Sequence, residues 1–263
     1  IKTMGLSMEM KRLKDKRAVI TGATGGIGEA TARRLLAEGA TVMLAARSGE
    51  TLSKLAATLD SDRVHICPAD ISSETDCKSL AERSISEMGG IDILFCNAGF
   101  EGSIKPLLEI EQDEFDAVQN TNIRGTWLTM KHCIPHILGN GGSVIVTSSV
   151  TGKVGVPGLG AYTASKHAIV GLVEVAALEL AEQGVRVNAI APAPIDNAMM
   201  RSIEKQAAPG APDAAKEGFE SLIAMKRYGT DDEVAAMVAF LASDDASFCT
   251  GGVYPIDGGF LAQ

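Results

Sequence analysis

A chain of 263 residues with 46% hydrophobic and 22% charged positions has the composition of a globular protein, long enough for one large α/β domain or two small ones. A formal net charge of −9 argues against non-specific binding to nucleic acid or to an anionic membrane surface. Aromatic residues make up only 4% while glycines number 28, so the core must rest on Ala, Val, Leu and Ile, with many close backbone approaches.

The opening stretch, IKTMGLSMEMKRLKDK, carries charges but no apolar run and does not read as a signal peptide. Residues 1–14 are expected to be a disordered extension, and residues 15–263 a single domain. Short β-rich runs follow at AVIT (18–21), TVMLA (41–45), RVHI (63–66), DILF (92–95), SVIVTS (143–148), VRVNAI (185–190) and GVYPI (252–256). Between them lie helical patterns near 27–38, 49–60, 73–88, 113–138, 160–183 and 231–243. Such alternation predicts βαβ units building a doubly wound parallel sheet with helices on both faces. The segment 196–226 follows a strand and holds prolines and several apolar residues. In an open α/β sheet it falls at the carboxyl edge, where ligands bind, so it is expected to be a substrate lid. The stretch from His132 to Gly152 has no formal charge apart from its histidines, but Pro135 and GNGG at 139–142 break it, and it is no membrane span.

Cys67, Cys77, Cys96, Cys133 and Cys249 are scattered, with no C-x-x-C pair and no metal-ligand spacing with histidine. They read as small thiols in a reducing cytoplasm, and no metal is expected.

VITGATGGIGEATARRLL (19–36) is a strand, a glycine turn and a helix. Gly22, Gly26 and Gly28 allow a tight turn, approach of backbone to a pyrophosphate, and close helix–strand packing, while the helix N-terminus supplies free N–H groups and a positive dipole end. A dinucleotide cofactor is the prediction, with Ile27 among its contacts. The second strand ends where an acid commonly binds the ribose 2′-hydroxyl. Here Ala46 stands there, followed by Arg47 and Ser48. A guanidinium without the acid suits a 2′-phosphate, so NADP(H) is favoured and NAD(H) possible; the alternative is a solvated loop arginine. In PADISSETD (68–76), Asp70 can accept from the adenine amine and Ile71 can pack on the ring, while Ser73-x-x-Asp76 resembles a capping box.

AYTASKHA (161–168) sets Tyr162 and Lys166 on one helix face among small residues. With CNAG (96–99), NIRG (122–125), the serines 148–149, NAIAPAPI (188–195), RYGTDDEVA (227–235) and YPIDGGF (254–260), the chain resembles the short-chain dehydrogenase/reductases from about residue 15 to its end. The resemblance implies a single Rossmann domain with a seven-stranded parallel sheet, a homo-oligomer (tetramer or dimer), and a small-molecule alcohol or ketone as substrate. It makes Tyr162 the catalytic acid/base, Lys166 its partner and Ser149, 13 residues before Tyr162, the group that bonds the substrate oxygen. It gives Asn122 a water that relays protons from Lys166, and places Asn97, Ala98, Gly99, Pro192 and Ile195 along the cofactor. The tyrosine-to-lysine spacing favours carbonyl over C=C chemistry. Three departures stand out: Cys96 for the first asparagine of NNAG, Ala193 for a glycine, and Asn197 where a threonine often reaches the nicotinamide amide.

The chemistry explains the pairing. A free phenol has a pKa near 10, about three units too high for a base at neutral pH, or roughly 4 kcal/mol. An ammonium nearby, with an oxidised nicotinamide, favours phenolate. Met199, Met200, Phe219, Leu222, Ile223 and Met225 in the lid point to an apolar or cyclic substrate. The competing reading is a catalytically idle dinucleotide-binding sensor on the same fold, against which the intact Ser149, Tyr162 and Lys166 argue.

Overall fold

The strands form where Val- and Ile-rich runs meet glycine or helix-capping turns. They are β1 (Arg17–Thr21), β2 (Thr41–Ala46), β3 (Val64–Pro68), β4 (Ile93–Cys96), β5 (Gly142–Thr147), β6 (Val185–Pro192) and β7 (Val253–Ile256). The computed structural model describes residues 11–262. All seven strands pair parallel in one sheet of order β3-β2-β1-β4-β5-β6-β7. This is the doubly wound α/β architecture expected from the alternation. The order reverses between β1 and β4, which opens a crevice beyond the carboxyl ends of the strands.

Successive strand residues point to opposite faces, and each face has its own core. On one, Ala18, Ile20, Val42, Leu44, Phe95 and Ile190 pack against Leu35 of α1 (Gly26–Ala37), Leu52 of α2 (Gly49–Leu59) and Val234 and Val238 of α9 (Asp231–Ala242). On the other, Val19, Met43, Leu94, Val144 and Val187 meet Leu80 of α3 (Glu74–Met88), Met130 of α5 (Thr126–Cys133) and Ile169 and Val173 of α6 (Gly160–Leu180). Each fully buried side chain of this size contributes about 1.5–3 kcal/mol.

The fold starts earlier than residue 15. Leu13 is fully buried in the first core, and the Arg12 guanidinium donates two hydrogen bonds to Glu38, at 2.8 and 2.7 Å. An apolar residue between charged neighbours gave no period to read. Residues 1–10 of the expected extension lie outside the described residues.

The helix expected over 113–138 is interrupted. α4 (Gln112–Gln119) passes into a π-helical stretch, Asn120–Gly125, then into α5 and a 3₁₀ turn, Ile134–His136, that contains Pro135. Two tertiary contacts hold the wider turn: Asn122 is bonded to the backbone of Phe100, and Gly125 lies where a Cβ would be 2.8 Å from Ile71. The segment 196–226 folds as α7 (Ala198–Ala207) and α8 (Pro212–Ser221), packed on each other over the crevice with their own small cluster of Met200, Ile203, Ile223 and Tyr228. Among the described residues no helix is long and apolar enough to cross a membrane.

Candidate active site

The carboxyl ends of β1, β2, β4, β5 and β6 open into one cavity of about 640 Å³, roofed by α7 and α8. Gly22, Gly26, Ile27, Arg47, Ser48, Asp70, Ile71, Asn97, Ala98, Gly99, Ser149, Tyr162, Lys166, Pro192 and Ile195 all line it. The fold therefore brings together almost every residue selected from the sequence.

At one end the wall is backbone. Gly22 has φ +64°, and a Cβ there would lie 2.8 Å from Ala98 Cα. α1 begins at this turn, and its N-cap Gly25 supplies no side-chain cap, so the helix N-terminus is open to a ligand. A glycine cradle and an uncapped helix N-terminus fit a dinucleotide pyrophosphate. Gly28 serves the close packing expected of the motif. It does not line the cavity, and a Cβ there would be 2.3 Å from Gly22 O, so it is a packing glycine that closes the helix onto its own turn.

Arg47 lies exposed at the cavity rim and forms no ion pair among the described residues. Ser48 caps α2 by accepting from Thr51 N. Asp70 accepts from the amide and hydroxyl of Ser72, and these bonds, with the charge of Arg47, lower its carboxyl below the usual range. Ser73 caps α3, but the Asp76 carboxylate accepts from the amide of Asp70, so the capping motif of this turn is tied to Asp70 itself.

In the middle of the cavity stand Ser149, Tyr162 and Lys166. α6 begins two residues before Tyr162, so the phenol and the ammonium of the next turn share its inner face. Lys166 Nζ donates to Thr147 O at 2.7 Å and lies 5.4 Å from the centre of the Tyr162 ring. Ser149 Oγ accepts from Thr151 N at 3.1 Å. Burial pushes the Tyr162 phenol up to about 12; a hydrogen bond with Ser149 works against that rise and the charge of Glu101 adds to it. Burial pushes the Lys166 ammonium down to about 8. Nζ is directed at a carbonyl rather than at the phenol oxygen, and shared burial drives both groups towards their neutral forms.

Asn122 stands behind the cavity wall. Its side chain is buried and does not line the cavity. Oδ1 accepts from Phe100 N, and Nδ2 donates to Phe100 O and Ser165 Oγ, each at 3.0 Å. These three bonds fix the loop after β4. Asn97 bridges the two halves of the site: Nδ2 donates to Gly22 O, and Oδ1 accepts from Thr147 Oγ1.

The far end is apolar. Val150, Val156, Leu159, Met199, Met200, Ile203, Phe219, Leu222, Phe100 and Phe260 form its wall. Ile223 and Met225 follow the end of α8 and do not line the cavity: Ile223 packs in the lid's own cluster with Met200 and Ile203, and both side chains pack at Gly258. Phe100 carried no sequence signal, and Phe260, the last residue of YPIDGGF, none that placed it here, because only the topology brings the C-terminal turn and the loop after β4 to the cavity. Ala193 lines the cavity, and the third departure, Cys96, is buried in the sheet. Among the described residues no group of His, Cys, Asp and Glu could hold a metal ion.

A family model described as enoyl-(acyl carrier protein) reductase matches residues 22–261. Levodione reductase of Leifsonia aquatica is 40% identical over 253 residues, covering 94% of this chain and 95% of that protein. Meso-2,3-butanediol dehydrogenase of Serratia marcescens is 37% identical over 254 residues, 96% of this chain and 97% of that one. Among solved structures, NAD+-bound xylitol dehydrogenase matches with a TM-score of 0.89 at 34% identity, over 94% of this chain and 99% of its own.

Proposed function

The chain belongs to the short-chain dehydrogenase/reductase family, and from that premise we propose that it transfers hydride between NADP(H) and an uncharged, apolar secondary alcohol or ketone. One observation carries this reading. Ser149, Tyr162 and Lys166 converge at the junction between a backbone-walled end suited to a dinucleotide and an apolar end suited to a substrate.

The dinucleotide, when bound, supplies the hydride in reduction and accepts it in oxidation. The protein's own residues manage the proton. In the reducing direction the Tyr162 hydroxyl gives its proton to the carbonyl oxygen, and its burial keeps it protonated and ready to donate. Ser149 donates a hydrogen bond to the same oxygen as charge develops there. Lys166, fixed by Thr147 O, holds a donor beside the phenol and the ribose end of the dinucleotide. Gln119 Nε2 bonds Ala161 O, at the start of α6, and helps to fix Tyr162 in place.

The family model's description names C=C reduction, whereas the relatives' names belong to alcohol and ketone chemistry. The four-residue step from Tyr162 to Lys166 supports the latter. The charged residues lining the cavity are Arg47, Asp70 and Lys166; the first two lie at the adenosine end and the third is committed to Thr147. Among the described residues no cation at the apolar end is set to receive a phosphate or carboxylate, which supports a neutral substrate.

NADP(H) is favoured by Arg47 and by the absence of an acid at Ala46. The second reading, NAD(H), is favoured by the NAD+-bound xylitol dehydrogenase relative. Steady-state kcat/KM with both cofactors decides between them, and preference for NADH would overturn the first. We also read residues 15–263 as one domain with its lid at about 196–226, extended by the packing of Leu13, and the protein as a cytoplasmic homo-oligomer. Trp127, Phe115, Leu107 and Leu108, exposed on or beside α4 and α5, support an oligomer contact.

A further inference from the structure

Asn197, one of the departures from the family pattern, is not left to reach for a ligand. Its Oδ1 accepts from Met199 N and caps α7, the first lid helix. Its Nδ2 donates to Asp231 Oδ1 at 2.9 Å. Asp231 opens α9, where Thr230 and Glu233 already form the capping box, so this carboxylate is not needed to cap its own helix. Its other oxygen, Oδ2, lies against the glycine turn, where a Cβ on Gly26 would be 2.2 Å away. One side chain thus touches the residue that starts the lid and the turn that starts α1.

We propose that Asp231 is a positioning residue that couples the lid to the dinucleotide end of the cavity, holding Asn197, and with it the first turn of α7, in register with the glycine turn. The inference rests on the reading of this cavity as a dinucleotide site. It gives Gly26 a second reason to be glycine: a side chain there meets Asp231, and the lid shifts with it. The rest of α7 is fastened independently, through Tyr228 Oη donating to Glu204 Oε1 at 2.9 Å and the Arg201–Glu204 ion pair at 3.0 Å. Loss of Asp231 therefore frees the N-terminal turn of the lid without dissolving it.

Trypsin cleavage after Arg201, in the first turn of α7, reads this coupling in the full-length protein. Without dinucleotide, Asp231→Ala is expected to speed cleavage at least about 10-fold, the lower end for one lost hydrogen bond to a charged group. Asp231→Asn keeps an acceptor for Asn197 Nδ2 and is expected to stay within about twofold of wild type, a rescue that loss of packing alone does not give. Gly26→Ala is expected to speed cleavage as well, and adding it to Asp231→Ala to change little further, because both act through one contact. Saturating NADPH is expected to slow cleavage of the wild type at least about fivefold and of Asp231→Ala less than about twofold. Wild-type cleavage of Asp231→Ala, or Asp231→Asn as fast as Asp231→Ala, overturns the coupling. So does equal protection of wild type and Asp231→Ala by NADPH. Failure of both NADPH and NADH to bind the wild type overturns the site reading instead, and the rates without dinucleotide still decide whether Asp231 holds the lid.

Discussion

The two ends of the cavity are built by different means. At the dinucleotide end the wall is main chain, with Gly22 at φ +64° against Ala98, the open first turn of α1, and strand ends that stop in register. At the lid end it is side chain: Met199, Met200, Ile203 and Phe219 from two short helices, and Phe260 from the far terminus. A main-chain wall leaves a residue no freedom where a Cβ would collide, so it is written as glycine. A side-chain wall is defined by its polarity, and many apolar residues satisfy it. The first end fixes a cofactor class and the second only the character of a substrate.

The junction between them gives the largest effect. Tyr162→Phe removes the proton donor and little volume, so kcat is expected to fall by about 10²–10⁴-fold with the dinucleotide Kd unchanged. Near-normal kcat would take the acid role from Tyr162. At the same junction Lys166 is held at about 8 against an ordinary 10.5, so folding favours its neutral form. At pH 7 the ammonium is charged in both states and its burial costs stability; as pH rises from about 8 to about 10.5 the folded group is neutral while the unfolded one is still charged, and the cost disappears. Lys166→Met is therefore expected to stabilise the protein at pH 7 by up to roughly 3 kcal/mol, with the gain over wild type vanishing by about pH 10.5. Denaturant midpoints across that range check it, and a pH-independent gain would contradict it.

At the dinucleotide end, Arg47→Ala is expected to lower kcat/KM for NADPH by about 10–150-fold, the worth of a charge-assisted hydrogen bond, and to change that for NADH far less. Equal losses would make Arg47 only a surface charge. The smallest effect sharpens the contrast between the two kinds of wall. Gly25 has φ −84°, and a Cβ there meets nothing closer than 3.5 Å, so this glycine is not demanded by packing. Gly25→Arg should fold normally and raise the NADPH preference by up to about fivefold, as expected of an exposed charge pair. A large loss of stability would show that the backbone wall is tighter there than its contacts indicate.

The strand–helix alternation, the glycine turn and the Tyr162–Lys166 face were legible because each follows from a local rule of period or turn chemistry. What was not legible depends on contacts between distant segments. The burial of Leu13, the π-helical turn that carries Asn122 to the Phe100 backbone, and Phe260 at the apolar end all arise from packing that no single segment announces. The spacing of Gly22, Gly26 and Gly28 announces the turn but not which glycine meets the cavity and which, like Gly28, is pressed by its own turn. Composition does not separate Ile223 and Met225 from the lid residues that face the cavity; past the end of α8 at Ser221, Ile223 packs inside the lid's own cluster and Met225 at Gly258.

The central claim is that one cavity joins a dinucleotide to an uncharged ketone or alcohol. Oxidation of NADPH, followed by absorbance, with the wild-type protein and a panel of cyclic and aryl ketones tests it most directly, with carboxylated and phosphorylated analogues alongside. The account predicts turnover of neutral apolar ketones and at least about 10²-fold lower kcat/KM for the charged analogues, whose desolvation the apolar end does not offset. Bound NADPH with no turnover across the panel, or preference for the charged analogues, would contradict it.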